Sequence, residues 1–255
     1  MLVVMLPAYN EVDAIAPLLT KIARTFEGID GDSSVLLVDD GSTDGTIERA
    51  EETARSLGLL LIVAAHEANK GLGAALKTGF RRGSELVGRD GVLVGMDADN
   101  THDPAVIPSM LEKLNEGYDV VIASRYAPGG EEVGLSLFRS ILSRGASMTL
   151  RLFLPVEGAR DYSCGFRAYR GTALARAFEA HGDSLITETG FVASAEVLLR
   201  LAYLPSRVAE VPLVLRYDLK GGASKMNITD TIKRYLRMIT AGRKAIKNRG
   251  DATSH

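Results

Sequence analysis

The chain has little of what marks secreted, membrane-spanning or nucleic-acid-binding proteins. Its single cysteine, Cys164, excludes an internal disulfide and suits a reducing compartment. No apolar run approaches the ~18 residues of a membrane-spanning helix, and the apolar start MLVVML meets Pro7 too early for a signal peptide. The formal net charge of −2 gives no overall attraction to nucleic acid. We therefore expect a cytoplasmic protein without a nucleic-acid partner.

The length and apolar content are sufficient for one large α/β domain, since 46% of the 255 residues are hydrophobic. Short apolar, β-rich runs alternate with segments of helical periodicity. The predicted strands are 2–6, 34–40, 59–64, 91–97 and 119–124. The predicted helices are 11–27, 44–57 and 71–87. This alternation predicts a mostly parallel sheet with helices on both faces and right-handed crossovers.

Unusual polar chemistry follows the predicted strands. The first, second, fourth and fifth strands run into PAYNE (7–11), DDGSTDGT (39–46), DADNTHD (97–103) and SRY (124–126). In open sheets of this kind, ligands bind beyond the carboxyl ends of the strands. All four stretches are therefore expected at one rim of the sheet.

Turns and helix caps explain only some of the polar residues at that rim. Ser42, Thr43 and Asp44 fit a turn followed by a helix cap. The doubled acids at 39–40 and at 97 and 99 are different, because like charges repel unless a cation or a ligand's donor groups compensate them. Some of these acids are therefore expected to bind a ligand.

Asp97 and Asp99 form the most specific pair of acids. Side chains two apart on an extended segment point to the same side, so both carboxylates are expected to face one small volume. Mg²⁺ is usually held by one or two carboxylates plus a substrate's phosphates. The pair therefore predicts a Mg²⁺ or Mn²⁺ site that binds a diphosphate. Asp39, one strand over, is placed to accept from a ribose or base donor.

The glycine-rich stretch NKGLGAALKTGF (69–80) does not match a dinucleotide fingerprint. Gly71 and Gly73 require a third glycine where Leu76 stands, and the lysine pattern of a Walker motif is missing. The stretch predicts a tight loop into a helix whose amino terminus faces the same rim. Its amides are expected to help hold an anion there.

Two later segments combine basic and apolar residues. The segment 133–156 contains three arginines among many apolar side chains. Its composition suits either an amphipathic helix pair in a membrane interface or a helical hairpin packed on the sheet. From 228 onward, seven basic residues flank a helical apolar stripe that includes Tyr235. This segment suits either an anionic membrane surface or a solvated terminal helix.

The motifs taken together resemble a known family. MLPAYNE, VDDGSTDGT, NKGLGAAL, MDAD, ASRY, DYSCGFRAYR and GGASKM occur in this order. The ordered set resembles family 2 inverting glycosyltransferases with a GT-A fold, and within them the dolichol-phosphate mannose synthases and bacterial polyprenyl-phosphate glycosyltransferases. The resemblance implies transfer of a hexose from a nucleotide diphosphate sugar, of GDP-mannose or UDP-glucose type, to a polyprenyl phosphate. It also implies Mg²⁺ or Mn²⁺ as cofactor and peripheral contact with the inner face of the cytoplasmic membrane.

The same resemblance implies roles for individual residues. The nucleotide pocket is expected to include Pro7, Ala8, Tyr9, Glu11, Asp39 and Asp97. The metal ligands are expected to be Asp97 and Asp99, and the catalytic residues to be Asp99, Arg125 and Asp161. The acceptor phosphate is expected to meet Arg125, Arg139, Ser143, Ser224 and Lys225. One departure is Thr101, which stands where these synthases often carry a glutamine as a further metal ligand.

The expected organisation is a GT-A domain over 1–225, with a nucleotide-sugar half (1–125) and an acceptor half (126–225). A basic helix and tail over 226–255 follow it. No nucleophile on the enzyme is expected. Two alternatives stay open. In the first, the same donor chemistry acts on a soluble hydroxyl acceptor with Asp161 as base. In the second, the chain is a non-catalytic nucleotide-sugar-binding protein.

Overall fold

The structure is a computed structural model that describes residues 1–134, the backbone of 137–143, and residues 144–190, 192–219 and 231–240. Its strands are β1 (Leu2–Ala8), β2 (Ser33–Asp39), β3 (Leu61–Ala65), β4 (Val92–Gly95), β5 (Val120–Ser124), β6 (Glu131–Val133), β7 (Arg167–Arg170), β8 (Val208–Pro212) and β9 (Val214–Arg216). Its helices are α1 (Val12–Phe26), α2 (Thr46–Leu57), α3 (Leu72–Val87), α4 (Ile107–Asn115), α5 (Leu137–Phe153), α6 (Gly171–His181), α7 (Val192–Ala202) and α8 (231–240).

Seven strands form one mostly parallel sheet in the order β3-β2-β1-β4-β7-β5-β8. Only β7 runs antiparallel to its neighbours within this sheet. The strands β1 and β2 are buried along almost their whole length. Since successive side chains point to opposite faces, both faces of the sheet are covered. The predicted α/β class and the alternation of strands and helices are confirmed.

The five predicted strands and three predicted helices are present, with one shift that matters for the site. The predicted strand 91–97 ends at Gly95. Its last ladder bond runs from the Met96 amide to the Met5 carbonyl, and the chain then turns through Asn100, which has φ +60°. The argument that an extended segment aligns the two acids is therefore wrong, because Asp97 and Asp99 belong to this turn.

The predicted pair of helices in 133–156 is also wrong. One 17-residue helix, α5, runs through this segment. Gly145, its internal glycine, costs a helix only about 1 kcal/mol relative to alanine, which is too little to end it. The chain leaves the helix just before Pro155, where a helix boundary is expected.

The helix α8 packs against the main body of the protein. Tyr235 and Ile239 are buried within the hydrophobic core, whereas Ile232 and Leu236 are exposed. Over the described parts of the chain, no helix combines the length and the apolar character that crossing a bilayer requires.

Candidate active site

The loops after β1 and β2 are joined by hydrogen bonds into one unit at the carboxyl edge of the sheet. The Asn10 amide donates to Ser42 Oγ, and the Thr43 amide donates to Asn10 Oδ1, both at 2.9 Å. Asp44 accepts from the amides of Val12 and Thr46 at 3.1 Å. Gly45, not Asp44, is the N-cap residue of α2, so the predicted cap is one residue out of place, but Asp44 still binds amides at the starts of both α1 and α2. Tyr9 and Glu11 lie in this unit, and Pro7 and Ala8 end β1 directly before it; these four are the expected nucleotide-pocket residues.

Asp39 lies at the end of β2, level with Ala8 of β1. Its side chain is buried, and Oδ2 accepts from the Ser42 amide at 2.8 Å. Oδ1 is buried and has no hydrogen-bond partner among the described residues. A buried acceptor left unsatisfied costs about 1–3 kcal/mol, so its retention at the rim calls for an external donor.

Asp40 has a different role from its neighbour. Its carboxylate accepts from the amides of Lys70 and Gly71 at 3.0 and 2.7 Å and lies 2.7 Å from His66 Nδ1. The protein's own donors therefore compensate Asp40. They also satisfy two amides that we expected to hold an external anion, because the anion bound by this loop is Asp40 itself.

Gly41 is required by the close approach of this loop. It has φ +73°, and a Cβ atom there would lie 2.5 Å from the Ala68 carbonyl carbon. Any other residue would therefore force the 66–71 loop away from Asp40.

The Asp97–Asp99 turn is held by its neighbours. Asp99 is buried, and its Oδ1 accepts from Thr101 Oγ1 at 2.6 Å and from the Thr101 amide at 3.2 Å. Asn100 Oδ1 accepts from Lys21 Nζ at 2.8 Å. Asp97 is half-buried and lies beside Gly165, where an added Cβ would be 3.5 Å from Asp97 Oδ1. Thr101 thus orients Asp99 through both its hydroxyl and its amide.

His102 is a further residue of this turn. Its side chain is buried and stacks on Phe166 with ring centroids 5.3 Å apart. Its Nδ1 accepts from the Asp97 amide at 3.3 Å. It therefore fixes the start of the turn.

The donor set at this turn fits a cation that is shared with a substrate. Among the residues the structure describes, no group of three or more acidic, histidine or cysteine side chains forms a complete metal cage. Mg²⁺ in proteins is usually bound by one or two carboxylates, while the phosphates of a substrate supply further oxygen ligands. Asp97 and Asp99 match this incomplete set.

Arg125 and Asp161 form a buried, bidentate ion pair next to the end of β5. Arg125 Nε and Nη2 donate to the two Asp161 oxygens at 2.7 and 2.8 Å, and Nη2 also donates to Ser163 Oγ. The Asp161 side chain is fully buried. Its burial acts to raise the pKa of the Asp161 carboxyl, but the charge and hydrogen bonds of Arg125 outweigh that effect, so the pKa lies below its usual value.

A second acid shares Arg125. Glu132 Oε1 accepts from Arg125 Nη1 at 3.1 Å, and its other oxygen lies 3.7 Å from the exposed Arg144. The Arg125 guanidinium also lies 5.0 Å from the Tyr126 ring centroid. Two carboxylates therefore surround Arg125, and it is almost completely enclosed. Of the other expected acceptor residues, the side chains of Arg139 and Ser143, and Ser224 and Lys225 entirely, lie outside the described residues.

A glutamate that sequence reasoning missed lies near the amino terminus of α3. The Glu188 carbonyl packs so closely on Gly73 that a Cβ there would be 2.4 Å away. Glu196 holds this segment by accepting from the amides of Thr187 and Glu188 at 2.8 and 2.7 Å. Glu188 in turn lies 3.6 Å from Arg234 of α8. The C-terminal helix is thus tied to the rim.

The fold is shared with solved glycosyltransferase structures. The chain aligns with glucosyl-3-phosphoglycerate synthase from Mycobacterium tuberculosis, solved with Mn²⁺, uridine diphosphate and phosphoglyceric acid, with a TM-score of 0.62 and 22% identity over 95% of this chain and 76% of that one. The mostly parallel sheet and its helices are therefore the GT-A fold.

The sequence comparisons define the family. The profile of glycosyl transferase family 2 matches residues 3–178. An undecaprenyl-phosphate mannosyltransferase of Micrococcus luteus is 35% identical over 87% of this chain and 86% of its own length. A dolichol-phosphate mannosyltransferase of Pyrococcus furiosus is 34% identical over 92% of this chain, which spans 62% of that protein. The chain belongs to glycosyl transferase family 2.

Proposed function

We propose that the chain transfers a hexose, mannose in particular, from a nucleotide diphosphate sugar to a polyprenyl phosphate with inversion. The carrying observation is the buried Asp39 Oδ1, which has no donor among the described residues and lies at the same rim as the Asp97–Asp99 turn. Relatives named as mannosyltransferases of undecaprenyl and dolichol phosphate support this donor sugar and this acceptor class.

The chain's own residues define the donor half of this reaction. Asp39 Oδ1 accepts a hydrogen bond from the base or ribose, while the unit after β1 and β2 forms the nucleotide pocket with Pro7, Ala8, Tyr9 and Glu11. Asp97 and Asp99 hold Mg²⁺ or Mn²⁺ together with the diphosphate. When bound, the cation supplies Lewis-acid neutralisation of the leaving diphosphate.

The acceptor half assigns Asp161 a positioning role. A phosphate monoester is already ionised near neutral pH, so it attacks the anomeric carbon without a general base. A fully buried carboxylate with a lowered pKa, bonded to Arg125 through both oxygens, is poorly suited to remove a proton. Asp161 therefore orients Arg125, and the alternative of a hydroxyl acceptor with Asp161 as base is disfavoured.

Transfer assays test this function. We expect turnover when the chain, Mn²⁺, a GDP- or UDP-hexose and a short, water-soluble prenyl phosphate are combined. GDP-mannose is expected to be the best donor and the matching prenol, without its phosphate, to be inactive. Transfer to a neutral sugar hydroxyl, with every prenyl phosphate ignored, would refute the acceptor assignment in favour of the soluble-acceptor alternative. Nucleotide-sugar binding without any turnover would favour the binding-protein alternative.

Membrane contact is part of the proposal, because two helices expose the same pattern. On α5, Met148 and Leu152 are exposed beside Arg151. On α8, the exposed Ile232 and Leu236 alternate with the exposed Lys233 and Arg237. Apolar side chains flanked by basic ones suit the interface of an anionic bilayer. Arg234 is not part of this surface, since it is mostly enclosed and pairs with Glu188.

Replacing Lys233 and Arg237 with glutamine is expected to weaken binding to phosphatidylglycerol vesicles by roughly 30-fold, because each basic residue near an anionic surface contributes about 1 kcal/mol. Co-sedimentation measures this affinity. Turnover on a water-soluble prenyl phosphate should not change. The matched control is glutamine at Arg24 and Arg55, exposed arginines in the last turns of α1 and α2. Equal losses for both pairs would contradict a specific surface on α8.

A further inference from the structure

Lys21 connects helix α1 to the Asp97–Asp99 turn. Its side chain is half-buried, and its Nζ donates to Asn100 Oδ1 at 2.8 Å. This hydrogen bond joins residues that are 79 positions apart in the sequence. The helix α1 begins directly after Glu11, one of the expected nucleotide-pocket residues, whereas Asn100 directly follows Asp99. Lys21 therefore bonds the nucleotide side of the donor site to its proposed metal side.

Asn100 has a backbone conformation that neighbouring contacts must hold. Its φ of +60° lies in the left-handed region, which asparagine tolerates better than most residues but which persists only where the surrounding structure fixes it. The turn at Asn100 brings the amide and the hydroxyl of Thr101 back to Asp99 Oδ1. Because Asn100 stands between these two residues, a contact that holds Asn100 also holds the Asp99 carboxylate.

The charge of Lys21 is by itself unfavourable at this place. A positive side chain repels a cation bound nearby, and Lys21 contacts the turn whose two carboxylates are proposed to hold Mg²⁺ or Mn²⁺. An ammonium group nevertheless forms a stronger hydrogen bond to an amide oxygen than a neutral donor does. The charge and the hydrogen bond of Lys21 therefore act on metal affinity with opposite signs.

We propose that Lys21 is a positioning residue for the metal site: its hydrogen bond to Asn100 keeps the turn in the conformation in which Asp97 and Asp99 share one cation. This inference rests on the proposed metal-dependent transfer. Lys21 contacts no substrate in this role. It acts through Asn100, and it fixes the turn from α1, whereas the other contacts described above fix the turn from within.

The substitution Lys21→Met removes the ammonium group but keeps an unbranched side chain that favours a helix. Mn²⁺ titrations of GDP and UDP binding to the full chain measure the metal affinity of the nucleotide complex. We expect this affinity to fall about 10-fold, the effect of losing a hydrogen bond to a charged group. Nucleotide affinity without metal should stay at the wild-type value, which a general loss of the donor site would not allow.

Two substitutions at Asn100 test the mechanism without changing α1. Asn100→Ala should also lower Mn²⁺ affinity, because alanine lacks the acceptor and a positive φ is unfavourable for it. Asn100→Gly should not, because glycine adopts a positive φ without steric cost. In the Asn100→Gly background the turn no longer needs the hydrogen bond, so adding Lys21→Met should not lower Mn²⁺ affinity further. Thermal melting checks that each variant is folded.

Three outcomes contradict the mechanism. Equal losses from Lys21→Met with and without Asn100→Gly would show that the effect does not pass through Asn100. A rise in Mn²⁺ affinity would show that only the charge of Lys21 acts. An equal loss of nucleotide affinity with and without metal would show that Lys21 binds the diphosphate itself.

The matched control is Lys113→Met. Lys113 lies in the last turn of α4 and pairs with Glu116 at 2.8 Å, so its loss should leave the Mn²⁺ titration unchanged. If Lys21→Met also leaves the titration unchanged while the wild type shows the Mn²⁺ enhancement, the role of Lys21 alone is overturned. A wild type whose nucleotide binding shows no Mn²⁺ enhancement would overturn the proposed metal site together with this inference.

Discussion

Asp99→Asn is expected to lower hexose transfer by about three orders of magnitude and to abolish the Mn²⁺ enhancement of nucleotide binding. The amide keeps an oxygen that can accept from Thr101, whose amide and hydroxyl now bond Asp99 Oδ1, so the turn should stay folded. The lost carboxylate removes Lewis-acid stabilisation worth several kcal/mol, and about 1.4 kcal/mol is a factor of ten in rate. Steady-state kinetics and nucleotide titrations with and without Mn²⁺ measure both effects.

Two further variants make this test specific. Asp39→Asn should weaken nucleotide binding by about 1.5–3 kcal/mol whether or not the metal is present, because it changes an acceptor for the nucleotide itself. Asp103→Asn should behave as wild type, because Asp103 only accepts from the Ala105 amide to cap a short helix. Asp99 is not a metal ligand if its asparagine variant keeps the Mn²⁺ enhancement.

Strands buried on both faces were predictable from the sequence, and β7 was not. Continuous apolar runs such as that of β1 indicate a strand between two layers of helices. By contrast, β7 has only four residues and begins and ends with arginine. Arg167 is completely buried because it donates to the Tyr162 and Ser194 carbonyls. These partners come from other segments, so the local pattern of β7 carries no sign of its burial.

The acids at the rim show the same limit of prediction from the local sequence. Asp39 and Asp40 stand side by side after the same strand, but Asp39 Oδ1 has no partner in the described part of the chain, whereas donors of the protein bind both oxygens of Asp40. The partners of Asp40 are 26 to 31 residues away, and only folding brings them to it. Position after a strand thus predicted where the chemistry lies, but not which acid is available to a ligand.

Tyr235 is a third example of the limit. Helical periodicity placed it in the apolar stripe of the C-terminal segment, which was expected at a membrane surface or in solvent, whereas Tyr235 is buried in the core. Periodicity does not identify what a buried residue lies against. The other members of the hydrophobic core around it come from segments far earlier in the chain, so the burial of Tyr235 depends on how α8 packs against them.

The Arg125–Asp161 pair should contribute strongly to the stability of the folded protein. Removing one partner of a buried ion pair costs about 3–5 kcal/mol, because the other charge stays buried. For Asp161→Asn we expect the lower end, since Glu132 still contacts Arg125 at 3.1 Å. Denaturant unfolding at neutral pH measures this loss. The matched control is Glu179→Gln in the exposed Arg89–Glu179 pair, which should cost about 1 kcal/mol or less.

The difference in the free energy of unfolding between wild type and Asp161→Asn should also depend on pH. Because Arg125 holds the pKa of Asp161 below its usual value, the pair stabilises the folded state above the unfolded-state pKa of about 3.9. That contribution is lost as the pH falls through the lower folded-state pKa. The free energy of unfolding of wild type should therefore exceed that of Asp161→Asn by a constant amount from neutral pH down to about 5, and the difference should shrink below about 4. A cost no larger than that of Glu179→Gln, or a difference that grows as the pH falls, would show that Asp161 does not carry the buried charge that holds Arg125.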